Sequence, residues 1–270
     1  MSNFPTNFNN LSMTYIHKPQ LIALCSDFGN KDFRLSALKA TILKENPTVN
    51  LVDISHEIPS FDLVQAAFIQ SNAFRSFPEG SIHICWVFNV GEDRGILLAL
   101  WEGQFFILPD NGLLSLICDQ YKPEKIFRVS DDCFRFRERI SSVIKHIVSE
   151  EDLSELFDPC EDPIVKINVS PVYQKDRIQS RVCFVDRFGN LIFNIQKDPF
   201  ERITAGRMFS FHTKTHQIIS NFELDENNVH NGSFYLYFND AGYMVLALCG
   251  SNAAKTLDIK ADETLQIVFE

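Results

Sequence analysis

Positive charge is in short supply in this chain. Lys and Arg number 25 against 35 Asp and Glu, giving a formal net charge of −10. A surface that binds nucleic acid needs the opposite balance, which argues against that class of partner. No apolar run approaches the roughly 18 residues of a membrane span, and no signal peptide is visible. The first 19 residues are polar and Asn-rich and predict a loose leader. Seven cysteines, an odd number, are scattered without a C-x-x-C pair. In a chain with no export signal they read as reduced thiols packed in strands and helices, neither disulfides nor zinc ligands. These absences predict a cytoplasmic protein with no metal centre. The G-x-G-x-x-G and Walker phosphate loops are missing as well. Asp27-Phe28-Gly29 spells a triplet found in protein kinases, but no Gly-rich loop, strand lysine or H-R-D segment precedes it, which removes that reading. There is no internal repeat.

What is present is ordinary globular material, 45% hydrophobic and 22% charged. Its 270 residues suffice for one large domain or two medium ones. The patterning favours two. Over residues 20–155, strand-like runs such as "LIALCS", "VNLVDIS" and "SIHICWVFNV" alternate with helical ones, the last being "RISSVIKHIVSEEDLSELF". Strands separated by helices imply parallel crossovers and a layered α/β domain with a central, mostly parallel sheet. Residues 156–172 are proline-rich and read as a linker. From residue 173 to 270 the pattern is nearly all β: "QSRVCFVDRFGNLIFNIQ" and "SFYLYFNDAGYMVLAL" are hairpins, and "ETLQIVFE" is a closing strand. A smaller barrel-like or sandwich domain is expected there, and seams between domains are common ligand sites.

Within "LIALCSDFGNKDF" an apolar run ends abruptly on Asp27, and leucines at helical spacing follow. An acid at the carboxyl end of a first parallel strand sits where open α/β sheets bind ligands. Taken alone, Asp27 reads equally as a turn or helix-capping residue. Asp110-Asn111-Gly112 and Asp186-Arg187-Phe188-Gly189-Asn190 have the same ingredients, and each by itself is turn chemistry.

In sequence order, "SDFGNKD", "VDISHEIPSFD", "FPEGSIHICWV", "VGEDR", "LPDNGLLSL" and "DRFGNLIFNI", with "GYMVLALCGSNAA" near the end, carry a resemblance. They resemble the S-adenosylmethionine hydroxide adenosyltransferases, relatives of the fluorinases and chlorinases. The resemblance implies an α/β N-terminal domain, a β-barrel-like C-terminal domain, and a homotrimer with sites between subunits. It implies no cofactor beyond S-adenosylmethionine itself as substrate or ligand. The reaction it implies is displacement of methionine at ribose C5′ by water or hydroxide, giving adenosine. Methionine leaves as a neutral group, so the demand falls on aligning and desolvating the nucleophile.

Carried over by resemblance, Asp27 holds the ribose hydroxyls, and a carboxylate accepting from a cis-diol makes strong charge-assisted bonds. Asp32 lies near the methionine ammonium. Phe61 walls the ribose, Phe188 faces adenine and Asn190 meets the adenine edge. Asn111 and Asp186 serve the amino-acid end, and Asn252 and Ala253 lie in the segment whose backbone meets the adenine amine. Phe61 and Phe188 have plain core packing as their alternative. Arg94 survives from the nucleophile cradle, with Asn89 as a further polar group beside it. The departures are as informative. The family's Asp-Pro-Gly-Val-Gly before the arginine reads Phe88-Asn89-Val90-Gly91-Glu92-Asp93 here, and Phe136 stands where the family's catalytic histidine aligns. Asp240-Ala241 replaces the Ser-Arg expected at the methionine carboxylate. His56 and His83 fall where the family has histidines without a catalytic role, and a structural hydrogen bond is the simpler reading of each.

Overall fold

The computed structural model describes residues 21–88, 94–119, 121–130, 133, 135–214, 218–224 and 228–270. The expected leader and Asn89 lie outside the described residues. The chain divides into two compact units between Ile167 and Asn168.

The first unit runs β1 (Leu21–Ser26), α1 (Arg34–Glu45), β2 (Asn50–Ser55), α2 (Leu63–Ala73), β3 (Ile82–Trp86), β4 (Ile96–Trp101), β5 (Gln104–Pro109), α3 (Leu113–Cys118), β6 (Lys125–Ser130), α4 (Phe136–Val148), α5 (Leu153–Leu156) and β7 (Asp158–Pro159). Its strands form one sheet in the order β2-β1-β3-β5-β4-β6-β7. Pairing is parallel from β2 to β5 and antiparallel from β5 to β7. The switch has a simple cause. Only Glu102 and Gly103, both at positive φ, separate β4 from β5. Two residues close a hairpin, whereas a parallel connection needs about a dozen.

Side chains on β1 alternate between two covered faces, which is why "LIALCS" reads as an unbroken apolar run. Ile22 and Leu24 pack with Leu38 and Ile42 of α1 and Ile144 of α4. Cys25 packs on the other face with Ala66 of α2 and Leu116 of α3. The last helix expected from the pattern is broken into α4 and α5. Asp152 ends the gap by capping α5, its Oδ1 accepting the Ser154 N–H at 2.9 Å.

The second unit contains β8 (Val172–Tyr173), β9 (Arg177–Val185), β10 (Leu191–Gln196), α6 (Lys197–Thr204), β11 (Phe209–His212), β12 (Ile218–Ile219), β13 (Phe222–Glu223), β14 (Phe234–Phe238), β15 (Tyr243–Leu248), α7 (Ala253–Leu257) and β16 (Thr264–Phe269). Its main strand order is β12-β11-β16-β9-β10-β15-β14-β13, with β8 beside β9. Strands β12 and β13 are the two ends of that order, yet only Ser220 and Asn221 separate them in the chain. Three Cα steps span at most about 11 Å, so the sheet must curl until its ends meet. The unit is therefore barrel-like, as the sequence predicts, around fully buried Phe193, Ile195, Phe211, Leu246 and Ile267.

Candidate functional site

Asp27 follows β1, whose neighbours β2 and β3 lie parallel to it on either side. Its loop therefore lies at the carboxyl ends of three parallel strands, the position at which open α/β sheets take ligands. The Asp27 N–H donates to Trp86 O at 3.4 Å, joining the loop to the end of β3. Its Oδ2 accepts the Phe61 N–H at 3.0 Å. Phe61 sits at φ +70° and is 56% exposed. A bulky residue in left-handed backbone costs about 1–3 kcal/mol, and such strain concentrates at ligand sites. Partial burial pushes the Asp27 carboxyl above its ordinary value, while the Phe61 N–H and, more distantly, Arg34 pull the other way. Asp32 is exposed: its Oδ1 accepts the Arg34 N–H at 2.9 Å and its Oδ2 lies 3.3 Å from Arg34 Nη1.

An aromatic cluster adjoins Asp27. Ile82, Ile84, Trp86 and Phe88 alternate onto the face covered by α1 and α4, where Phe136 begins α4. Trp86 stacks on Phe136 with centroids 4.6 Å apart, and Phe88 meets Phe136 edge-on at 5.8 Å. Phe28 contacts both phenylalanines, at 6.2 and 5.9 Å. The Trp86 Nε1 is buried with no hydrogen-bond partner among the described residues.

Asn111 is wholly internal, with Nδ2 donating to Val87 O at 2.9 Å and Oδ1 accepting the Leu113 N–H at 3.2 Å. It fastens the end of β3 to the start of α3. Arg94 is exposed and donates its N–H to Asp110 O at 2.9 Å, while its carbonyl accepts Arg128 Nη1 at 2.6 Å. The fully buried Asp110 carboxylate holds Arg128 Nη2 at 3.0 Å and the Ile164 N–H at 2.8 Å. So Asn111 and Arg94 share one braced corner.

In the second unit, Asp186, Phe188, Asn190, Asn252 and Ala253 come together. Asp186 Oδ1 accepts the N–H groups of Phe188 (2.9 Å) and Asn190 (2.8 Å), and Oδ2 accepts Asn190 Nδ2 at 2.8 Å. The Asp186 carboxylate is thus spent on its own turn. Gly189, at φ +84°, donates to Asp186 O and accepts the Ala254 N–H at 2.9 Å. A Cβ there would run into the Asn252 amide, whose Oδ1 caps α7 by accepting the Lys255 N–H at 2.7 Å. On this rigid turn the Phe188 ring is 76% exposed, which removes the core reading of it. Asp240 is an exposed residue of the β14–β15 turn.

Sequence reasoning passed over Ser26, Asp53 and Lys39. Ser26 Oγ lies 2.7 Å from His56 Nδ1, His56 Nε2 lies 3.1 Å from Asp53 Oδ1, and Lys39 Nζ lies 2.6 Å from Asp53 Oδ2. The D-x-x-H spacing of Asp53 and His56 at the end of β2 was the available signal. His83 is a core residue between Gln70 (3.0 Å) and Gln104 (2.6 Å), its imidazole pulled down to about 4 by burial against the opposing Gln104 bond. No cluster of metal-ligating side chains occurs among the described residues, and no helix of theirs is long and apolar enough to cross a membrane.

An α/β unit with an acidic loop at its parallel strand ends, joined in sequence to a barrel-like unit bearing a rigid aromatic turn, defines the class. Residues 22–156 match the SAM hydroxide adenosyltransferase N-terminal domain and residues 180–266 the SAM hydroxide adenosyltransferase C-terminal domain, so the chain belongs to the SAM hydroxide adenosyltransferase family. It is 27% identical over 269 residues to an (R)-S-adenosyl-L-methionine hydrolase of Methanocaldococcus jannaschii, covering 92% of this chain and 96% of that protein. It is 23% identical over 291 residues to a fluorinase of an Actinoplanes species, covering 92% and 97%. The crystal structure of an uncharacterized conserved protein from Thermotoga maritima shares the fold with a TM-score of 0.81 at 22% identity, over 92% of this chain and 99% of that one.

Proposed function

We propose that this chain binds an adenosyl ligand, with S-adenosylmethionine as the first candidate, and converts it to adenosine and methionine slowly. Asp27 takes the ribose hydroxyls, Phe188 and Asn190 take the base, and Asn252 and Ala253 support the base turn. One observation carries the slow-turnover reading. Phe88, which with Asn89 occupies the place where the resemblance puts the family's acid, meets Phe136, which stands at the place of its histidine, beside Phe28. Two phenyl rings offer a water nucleophile neither lone pair nor N–H. Loss of one aligned polar group commonly costs about 10²–10³ in rate, and the losses need not add. Arg94 keeps the charge of the cradle, with Asn89 as its proposed companion. A homotrimer is part of the same proposal, supported by Val165 and Ile167, 69% and 87% exposed ahead of the second unit. Light scattering at the trimer mass is the expected result.

The test is to incubate pure protein with S-adenosylmethionine, follow adenosine by chromatography, and titrate adenosine by calorimetry. Binding heat with little or no adenosine release is expected. Turnover equal to that of members with the complete cradle, abolished by Arg94→Ala, would refute the slow-turnover reading. Absence of binding heat would leave a scaffold with a vestigial pocket.

A further inference from the structure

We propose that Ser26, His56 and Asp53 form a directed hydrogen-bond relay that holds the Asp27 loop in its binding position, so that adding a proton to His56 releases it. The proposal rests on the reading that Asp27 touches the ligand; these three are positioning residues behind it. Direction follows from the donors. The Asp53 carboxylate can only accept, so the neutral imidazole keeps its proton on Nε2 and Nδ1 accepts the Ser26 hydroxyl at 2.7 Å, while Ser26 Oγ itself accepts the Phe28 N–H at 3.4 Å. The Nε2 proton is donated to Asp53 Oδ1 at 3.1 Å, and Asp53 is held in turn by Lys39. Ser26 and His56 are 1% and 5% exposed, so water does not replace these partners.

His56 grips the loop twice, because its carbonyl also accepts the Gly29 N–H at 2.8 Å. Together with the Phe61 N–H to Asp27 Oδ2 bond, three hydrogen bonds stitch the loops after β1 and β2 around Asp27. A second proton on the imidazole makes Nδ1 a donor. Ser26 Oγ must then accept two N–H groups, and its own hydrogen is left without the acceptor it had, a costly state in a buried site. The charged groups facing His56 are Asp53 on β2 and Lys39 on α1, with Asp27 beyond Ser26; α2 has no titratable side chain between Leu63 and Ala73. Burial pulls the imidazole below its ordinary value, and Asp53 opposes that. The neutral relay is therefore intact above pH 6.5 and is lost as pH falls below it.

His56→Asn sets an amide near the Nδ1 position and keeps the Ser26 bond without titrating, whereas His56→Gln sets one near Nε2 and loses that bond. Adenosine affinity of the wild type is expected to hold from pH 8 to 6.5 and to fall about tenfold on further acidification as His56 takes its second proton, the scale of one net hydrogen bond. His56→Asn should match the wild type at pH 8 without the acid limb, and His56→Gln should bind about tenfold more weakly throughout. The titration of Asp27 itself is common to all three and cancels in their ratios. Asp53→Asn, altered at an exposed residue that leaves the packing intact, should move the limb to lower pH. Protection of the Gly29 and Phe61 amides against exchange, taken relative to their intrinsic rates at each pH, should fall in ligand-free protein with the same pH dependence. If adenosine does not bind but the amides follow this pattern, the ligand reading fails and the relay stands. If neither affinity nor amide protection responds to pH, or His56→Gln matches the wild type in both, the relay is wrong.

Discussion

Gly189→Ala tests how much of the base turn depends on one missing methyl. Gly189 holds φ +84°, a conformation that costs an L-residue about 1–2 kcal/mol. The new Cβ would also collide with the Asn252 amide, which caps α7. Moving that amide forfeits the cap, worth about 0.5–2 kcal/mol. Ala254 N–H to Gly189 O, at 2.9 Å, is the bond through which α7 rests on the turn, and it strains as the two separate. The expected loss is about 2–4 kcal/mol in the second unit, read as a lower urea midpoint with an unchanged slope. Adenosine affinity should drop with it, because Phe188 and Asn190 share the distorted turn. Asn252→Gly in the Gly189→Ala background gives the discriminating result. It removes the collision, so the double variant should lose less than the two single losses combined. A Gly189→Ala stability, midpoint times slope, within about 0.5 kcal/mol of wild type would refute the argument.

Asp27→Ala should weaken adenosine binding by about 1.5–3 kcal/mol in calorimetry, the scale of hydrogen bonds to a charged group; an unchanged dissociation constant removes Asp27 from the site. Phe188→Ala should cost about 1–3 kcal/mol of base stacking. Since the ring is 76% exposed, the melting temperature should stay within a degree or two. The His83 imidazole, pulled from 6.5 to about 4 by burial, contributes stability that is complete above pH 6.5 and is lost as pH falls through 4. Denaturant titrations should show about 3 kcal/mol disappearing over that range, and His83→Gln should flatten the slope.

The strands and hairpins that the sequence announced were those whose pattern is local. β1 is apolar because both its faces are covered, and Asp186-Arg187-Phe188-Gly189-Asn190 is a turn because its own carboxylate closes it. β6 escaped notice because, of "KIFRVS", only Phe127 is fully buried, so its apolar signal is weak. The α4–α5 break was hidden by an unbroken helical period and revealed only by the Asp152 cap. At the site, Asp27 was legible from its place after a strand. Its bond to Phe61 was not, since the two lie 34 residues apart and a phenylalanine gives no sign of positive φ. Of the relay through His56 only the Asp53–His56 spacing could be read, because parallel strand pairing, not sequence distance, brings Ser26 to it. The meeting of Phe88 with Phe136 likewise needed the fold to reveal it.

Strand β16 has a consequence for the order in which the molecule is made. It contributes the last six strand residues, Thr264–Phe269, yet it lies between β9 and β11, paired with both. Its Leu265, Ile267 and Phe269 are buried in the second core. During synthesis β9 and β11 have no way to reach each other through their final neighbour until that segment arrives. The first unit has all its strands by Pro159 and can mature on the ribosome while the second waits, with edges exposed, for β16 to emerge. Nascent chains arrested before Thr264 should therefore be protease-resistant over about residues 21–160 and sensitive beyond, the second unit becoming resistant only when Phe269 has cleared the exit tunnel.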